Sequence, residues 1–307
     1  MAAAKSSAEQ KAKRPRLCEA GSSTSSPVAM MNGLPGALAA ESARACLRQG
    51  LALAPVGLTG PRGLASYEVL EESDSATIQL VSSADPSAQR KALEEMVETY
   101  GDRLVVIDCT LPKAVNANAE LYAAVGCAFV MGTTGGDREA LSKVVQDGGN
   151  YAVIAANMCK QIVALQATLS RMSREFPGAF AGYSLELTES HQKTKVDTSG
   201  TAKDMVASFQ KLGIPFTEDR IRKIREEAQQ ADFGVPDSAL GGHAFHTYVL
   251  RSGDSSVEFQ IRHNVCGRRT YGEGVVDAVL FLAARRAAKS EKRLFDMIDV
   301  LEGGAMR

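Results

Sequence analysis

The sequence predicts an α/β protein, a doubly wound parallel sheet plus a second α+β domain with a mixed or antiparallel sheet. Two observations carry this prediction. From Val28 onward, short continuous apolar runs alternate with helical stretches, as in a parallel sheet covered on both faces. Beyond residue 176 the strand-like segments instead alternate apolar and polar residues, the pattern of a sheet with one buried face.

Taken in order, Val28-Ala-Met-Met31 is the first apolar run, followed by the turn Asn32-Gly-Leu-Pro-Gly36. Residues 37–49 read as an Ala-rich helix, Leu51 to Val56 as the second strand and Ala76 to Val81 as the third. Pro86 to Tyr100 has helical spacing with proline in its first turn, where a missing N–H costs nothing. Leu104 to Asp108 and Cys127 to Met131 are buried-type strands on either side of the Ala-rich helix Lys113 to Val125. A helix over Asp137 to Val145 leads to the strand Tyr151 to Ile154, and a long amphipathic helix follows near Met158 to Phe176. Tyr183 to Glu189, His243 to Leu250 and Val257 to Val265 are the alternating strands, the last two joined by the hairpin-like loop Arg251 to Ser255. Ala202 to Leu212 is helical, and Gly274 to Leu301 returns to helix. The reading divides the chain into a tail (1–27), a first domain (28–157, with 268–307 packing back on it) and a second domain (158–267).

The 307 residues are 45% hydrophobic and 23% charged, with a net charge of −1. That balance gives no electrostatic case for nucleic acid or an anionic membrane. No apolar run approaches the roughly 20 residues of a membrane span. The six cysteines are scattered without a C-x-x-C pair, which fits a reducing compartment and points to neither a disulfide scaffold nor a metal site. Within the tail, Lys13-Arg14-Pro15-Arg16 reads as a solvated basic run, with a nuclear-import patch or an organelle transit peptide as alternatives. Plastid stroma and cytoplasm both fit the sequence.

The densest chemistry lies between Glu189 and Ala202, where His191, Lys193, Lys195, Asp197 and a Ser199-Gly200-Thr201 turn share fourteen residues. An imidazole, fixed positive charge and small hydrogen-bond donors suit an enzyme that holds a small dianion and moves a proton on it. Thr201 opens a helix, so the turn's amides lie at a helix N-terminus, a natural anion site. Lys193 reads as a solvated charge and Asp197 as a turn cap. His243, His246 and His263 read as surface or satisfied core residues, and Arg268 as either a surface residue or one that reaches the site.

Gly33 and Gly36 fall where a doubly wound sheet bends from first strand to first helix. There, backbone N–H groups can approach a pyrophosphate, which makes this a Rossmann-type dinucleotide turn, with Ala39 at the third small-residue position. The segment after the second strand, Val56 to Arg62, carries no acid for ribose hydroxyls, whereas Thr59 and Arg62 suit a 2′-phosphate. NADPH is therefore the favoured cofactor, with NADH the alternative. Three further loops at strand ends, Asp108-Cys-Thr110, Gly132-Thr133-Thr134 and Ala155-Ala156-Asn157, outline a cleft on the same edge.

Met131-Gly-Thr-Thr-Gly135, Ala155-Ala-Asn157 and His191 to Ala202 together resemble dihydrodipicolinate reductase (4-hydroxy-tetrahydrodipicolinate reductase) from about Val28 to Arg307. The likeness is strongest to the plant-type branch, in Phe129 to Arg138, Gly241-Gly-His-Ala-Phe-His246 and His263 to Arg268. The resemblance implies two domains closing on each other, usually in a homo-oligomer. It also implies NAD(P)H-dependent reduction of a small cyclic dicarboxylate with loss of water, in lysine and diaminopimelate biosynthesis. It places the catalytic histidine and lysine on His191 and Lys195, and the substrate-carboxylate loop on Ser199, Gly200 and Thr201. Nicotinamide contacts fall on Gly132, Thr133 and Thr134, with Thr110 on the same edge, and Ala156 and Asn157 lie between cofactor and substrate. The chain departs from the bacterial pattern at Gln192, where a second histidine stands, and lacks a proline before Ser199. It departs from the usual cofactor turn at Ala37 and Ala39.

On this reading His191 donates the proton, an imidazole pKa near 6.5 supplying both protonation states near neutrality. Two alternatives stand beside it: another NAD(P)-dependent dehydrogenase of similar architecture, which has no need of the Lys195 and Ser199–Thr201 dianion site, and a non-catalytic NADPH-binding protein.

Overall fold

A computed structural model describes residues 26–304 apart from Ser73. The tail expectations, including the basic run Lys13–Arg16, lie outside the described residues. Strand β1 (Val28–Asn32) leads through the glycine turn into α1 (Ala37–Arg48). The single strand expected over Leu51 to Val56 is instead two, β2 (Ala52–Leu53) and β3 (Val56–Thr59). Pro55 separates them, since it has no N–H to continue a ladder. β4 (Ser66–Glu71), which the sequence reading missed, forms an antiparallel hairpin with β5 (Asp74–Ser82).

Helix α2 (Pro86–Tyr100) starts where the Asp85 carboxylate accepts from the Ala88 amide. Then come β6 (Leu104–Asp108), α3 (Val115–Ala124), β7 (Ala128–Met131), α4 (Arg138–Gly148), β8 (Ala152–Ile154) and α5 (Lys160–Glu175). The second half holds β9 (Ser184–His191), α6 (Gly200–Lys211), β10 (Arg222–Ile224), α7 (Glu227–Asp232), β11 (His243–Arg251) and β12 (Glu258–Cys266). The segment expected to be helical to Leu301 contains a strand: α8 (Arg269–Ala287) is followed by β13 (Leu294–Phe295) and α9 (Met297–Glu302).

The first sheet runs β4-β5-β3-β1-β6-β7-β8-β13, with β2 also on β1, and every pairing except β4 with β5 is parallel. The chain starts in the middle, winds outward through β3 and β5, then recrosses to β6 and winds the other way. That reversal between β1 and β6 leaves a crevice at the carboxyl ends of the strands. Alternate residues of β1 feed the two faces: Ala29 and Met31 join α1 and α8 in one core, Val28 and Met30 join α2 to α4 in the other. Burial on both faces is why these strands read as unbroken apolar runs.

The second sheet, β10-β9-β11-β12, is mixed, with β10 parallel to β9 and the other pairs antiparallel. Leu185, Leu187, Tyr248 and Leu250 present one face to Met205, Val206 and Phe209 of α6. α8 then crosses back beneath the start of α5 so closely that a Cβ on Gly274 would overlap the Met158 carbonyl. The Lys160 ammonium meets the fully buried Asp277 carboxylate at 2.7 Å at the same crossing. No helix among the described residues is long and apolar enough to cross a membrane.

Candidate active site

At the crevice, Gly33 has φ +115° and would drive a Cβ into the Cys109 carbonyl, so only glycine lets β1 turn this tightly against the loop after β6. Gly36 caps α1, whose first turn carries no acidic residue, leaving its amides and dipole open to an anion. Ala39 is fully buried where α1 packs on the sheet, the role a third glycine serves. These features fit a dinucleotide pyrophosphate held by the 33–36 turn.

Thr59 and Arg62 divide in their behaviour. The Thr59 hydroxyl is buried and donates to the Leu34 carbonyl at 2.5 Å, bracing the glycine turn rather than offering itself to a phosphate. Arg62 is exposed beyond the end of β3. Thr110 is likewise committed: its amide and hydroxyl donate to Asp108 Oδ1 at 3.1 and 2.7 Å. The Thr133 hydroxyl reaches the same oxygen at 3.2 Å, while Asn118 and the Tyr122 hydroxyl donate to Oδ2 at 2.8 and 2.7 Å. Asn32 in turn donates to the Tyr122 oxygen at 2.6 Å. Burial, and then the Asp108 charge, hold the Tyr122 phenol well above its usual pKa. The fully buried Asp108 therefore ties together the ends of β1, β6 and β7, and sequence reading gave it no such part.

Between the two sheets lies a cavity of about 290 Å³. Of the expected site residues it gathers Gly132, Thr134, Ala156, Asn157, His191, Lys195, Ser199, Gly200 and Thr201. Gly33, Gly36, Thr59, Arg62, Thr110 and Thr133 are not on its wall. Asn157 Nδ2 donates to Thr201 Oγ1 at 2.8 Å, joining the loop after β8 to the start of α6. Ser199 takes the N-cap position of α6 without a side-chain capping bond, and no acid lies in the first turn of that helix. Lys195 pairs with the exposed Asp197 at 2.8 Å, so Asp197 serves the lysine rather than capping the turn. Burial works against the Asp197 charge, but the Lys195 bond and charge hold its pKa below the usual carboxylate value.

His191 is not in a loop but ends β9, 7% exposed. Burial first, then the Lys195 and Arg225 charges, push its pKa down to about 3. In place of the expected imidazole poised near 6.5, burial and these two cations favour the neutral ring at physiological pH. His243, His246 and His263 also border the cavity, so all four histidines of the chain meet here. Setting those three aside as surface or core residues missed this. His243 Nε2 bonds to the Ser190 hydroxyl at 2.8 Å and Nδ1 to the Ala239 carbonyl at 3.1 Å. Burial pushes the His263 pKa down to about 4, and burial with the neighbouring positive groups holds His246 well below its usual value.

Glu189 anchors the arrangement. Fully buried, its carboxylate accepts from Arg225 Nη2 at 2.5 Å and from the Ser199 amide at 3.1 Å. Arg225 Nε also reaches the Lys195 carbonyl at 2.8 Å, fastening the loop that carries the lysine. Glu189, His191 and His246 bring ligating atoms within 4.8 Å of one another, but the committed carboxylate and two adjacent cations make this a charge-balancing group rather than a cation cage. Arg268 reaches the cavity wall, its guanidinium lying over Gly242.

Similar proteins share this frame. Residues 55–158 match the family described as "Dihydrodipicolinate reductase, N-terminus" and residues 162–301 the one described as "Dihydrodipicolinate reductase, C-terminus". The chloroplastic 4-hydroxy-tetrahydrodipicolinate reductase 2 of Arabidopsis thaliana is 54% identical over 72% of this chain, which spans 64% of that relative's length. The probable chloroplastic 4-hydroxy-tetrahydrodipicolinate reductase 2 of Oryza sativa subsp. japonica is 46% identical over 91% of this chain and 84% of its own. A dipicolinate-bound dihydrodipicolinate reductase from Paenisporosarcina sp. TG-14 superposes with a TM-score of 0.58 at 17% identity, covering 89% of this chain and 98% of that one, and so shares the fold. With matches across both halves and close relatives over most of its length, the chain belongs to the dihydrodipicolinate reductase family.

Proposed function

We propose that the protein reduces 4-hydroxy-tetrahydrodipicolinate to tetrahydrodipicolinate, with loss of water and with NADPH as preferred reductant, in lysine and diaminopimelate biosynthesis. One observation carries the reading: His191, Lys195 and the N-terminus of α6 share a cavity whose opposite wall is the strand-end edge of a dinucleotide-type sheet. The substrate is a six-membered ring with two carboxylates. Lys195 and the amides of Gly200 and Thr201 supply charge-assisted bonds to them, the Ser199 amide being taken by Glu189. Asn157, bonded to Thr201, orients that turn. The 33–36 turn would hold the pyrophosphate of a dinucleotide and the Gly132–Thr134 loop its nicotinamide, which would supply the hydride.

His191 gives the proton. Burial and neighbouring cations keep it neutral in the free protein, and two incoming carboxylates offset those cations, so a proton enters the site together with the substrate. NADPH preference is supported by exposed Arg62 and by the absence of an acid at the end of β3. The same reading makes residues 28–157 with 268–307 the cofactor domain and 158–267 the substrate domain. It includes self-association, supported by Val257 exposed just before β12 and Phe259 exposed at its start, and a plastid address, supported by the chloroplastic relatives.

The test follows NADPH or NADH oxidation while the lysine-pathway synthase generates the substrate in situ. Turnover is expected, faster with NADPH; no turnover with either cofactor overturns the reading in favour of a non-catalytic binding protein. In the same assay His191→Gln should lower kcat by roughly 10²–10⁴-fold with cofactor binding intact. Near-normal kcat in that variant removes His191 from the chemistry.

A further inference from the structure

His246 makes a contact that the proton-transfer reading leaves unused. Register across the second sheet sets it opposite Glu189 on one side and His263 on the other. Its Nε2 lies 3.4 Å from His191 Nε2 and 3.9 Å from Glu189 Oε2, while its Nδ1 has no partner among the described residues. The ring is 1% exposed and stacks on His263 with centroids 4.7 Å apart. Of the two His246 tautomers, the one protonated on Nε2 faces the His191 ring nitrogen and the Glu189 carboxylate, which can only accept and stands at ion-pair rather than hydrogen-bond distance. A proton on Nδ1 instead meets no partner among the described residues. With the Nε2 tautomer, His191 presents a lone pair at its own Nε2.

We propose that His246 is a positioning residue for His191, its Nε2–H shared between the His191 lone pair and the Glu189 carboxylate and passing from the first to the second when His191 is protonated. The proposal rests on the reductase reading for its substrate. A solvent proton enters with the dianion and bonds to His191 Nε2, and the His246 N–H turns to Glu189 Oε2. When the His191 N–H bond breaks and the substrate takes the proton, the electron pair left on His191 Nε2 is met again by the His246 N–H. No bond to His246 is made or broken. The device stabilises the neutral histidine between turnovers and so eases proton release.

The other titratable and charged groups facing the pair have fixed places. Lys195 comes from the loop after β9, Arg225 from the segment after β10, His243 from β11 and His263 from β12. Arg225 and the Ser199 amide hold Glu189 in position, so its Oε2 is a fixed second acceptor.

Two substitutions separate this role from simple packing. His246→Leu removes the donor, whereas His246→Gln sets an amide N–H near the position of Nε2–H. His246→Leu should lower kcat at least about tenfold, leave the KM for NADPH within about twofold, and move the alkaline limb of the kcat profile to higher pH; His246→Gln should restore most of both. Nitrogen-15 NMR of the unaltered, free protein should show protonated Nε2 and bare Nδ1 at His246, and bare Nε2 at His191. A His246 protonated on Nδ1 overturns the proposal, as do equal kcat values and pH limbs in the wild type and both variants. The NMR measurement needs no turnover, so an inactive wild-type protein overturns the reductase reading while the tautomers still decide this one.

Discussion

Thr59 ends β3 and Arg62 stands three residues beyond it, and their side chains do different work. Thr59 is buried against Leu34, so its loss would loosen the glycine turn and weaken either nicotinamide cofactor alike. Arg62 is exposed, where a guanidinium adds energy only if a 2′-phosphate is there to accept its hydrogen bonds. A hydrogen bond to a charged group contributes about 1.5–3 kcal/mol, or roughly 10- to 100-fold in affinity. Arg62→Ala should therefore raise the KM for NADPH by at least about tenfold while leaving that for NADH nearly unchanged, and Thr59→Val should raise both together. Steady-state kinetics with the two cofactors decide this; an NADPH KM indifferent to Arg62 would remove the phosphate role. The contrast also marks a limit of reading residues singly. Both have phosphate-binding chemistry, and only the packing of Leu34 over β3 separates them.

Among the elements, α8 is the most sensitive to a small change. Gly274 passes under the Met158 carbonyl with no room for a methyl group, and Met158 adjoins Asn157 on the cavity wall. Gly274→Ala should cost about 1–3 kcal/mol through overpacking, read as a lower denaturant midpoint, and should raise the substrate KM by displacing Asn157. An unshifted midpoint would mean that the crossing has slack. Elements that announce themselves locally were legible in the sequence: the apolar runs of β1, β6 and β7, the proline start of α2 and the glycine turn. β4 and β10 were not, because edge strands such as Ser66–Glu71 and Arg222–Ile224 carry exposed charge that masks their few buried residues. β13 is only two residues long and takes its strand form from pairing with β8. The Glu189–His246–His191 group was hidden for the same reason. Each residue looks ordinary along the chain, and only the pairing of β9 with β11 sets Glu189 opposite His246. Asp108 likewise depends on Asn32 and Tyr122, which meet it only in the folded sheet.

For the molecule as a whole, gathering every histidine around one cavity ties stability to pH. His191 and His263 have folded-state pKa values near 3 and 4, and His243 and His246 are also lowered. Below an unfolded-state value of about 6.5 the unfolded chain binds more protons than the folded one. The stability these groups leave intact above that pH is lost as pH falls through the interval toward 3–4, by up to about 1.4 kcal/mol per pH unit for each histidine. The melting temperature should drop between pH 7 and pH 5. A melting temperature flat over that range would mean that the histidines titrate alike in both states. The route of the chain matters at the same scale. It leaves the first sheet after β8, builds the whole second sheet, and returns only with α8 and β13. Val275, Val276 and Val279 of α8 share a core with Ala29 and Met31 of β1. On the ribosome, then, α1 alone covers that face of the first strand until α8 has been made, while the second sheet already has α5 and α6 to pack against. The sheet begun first is the last to close.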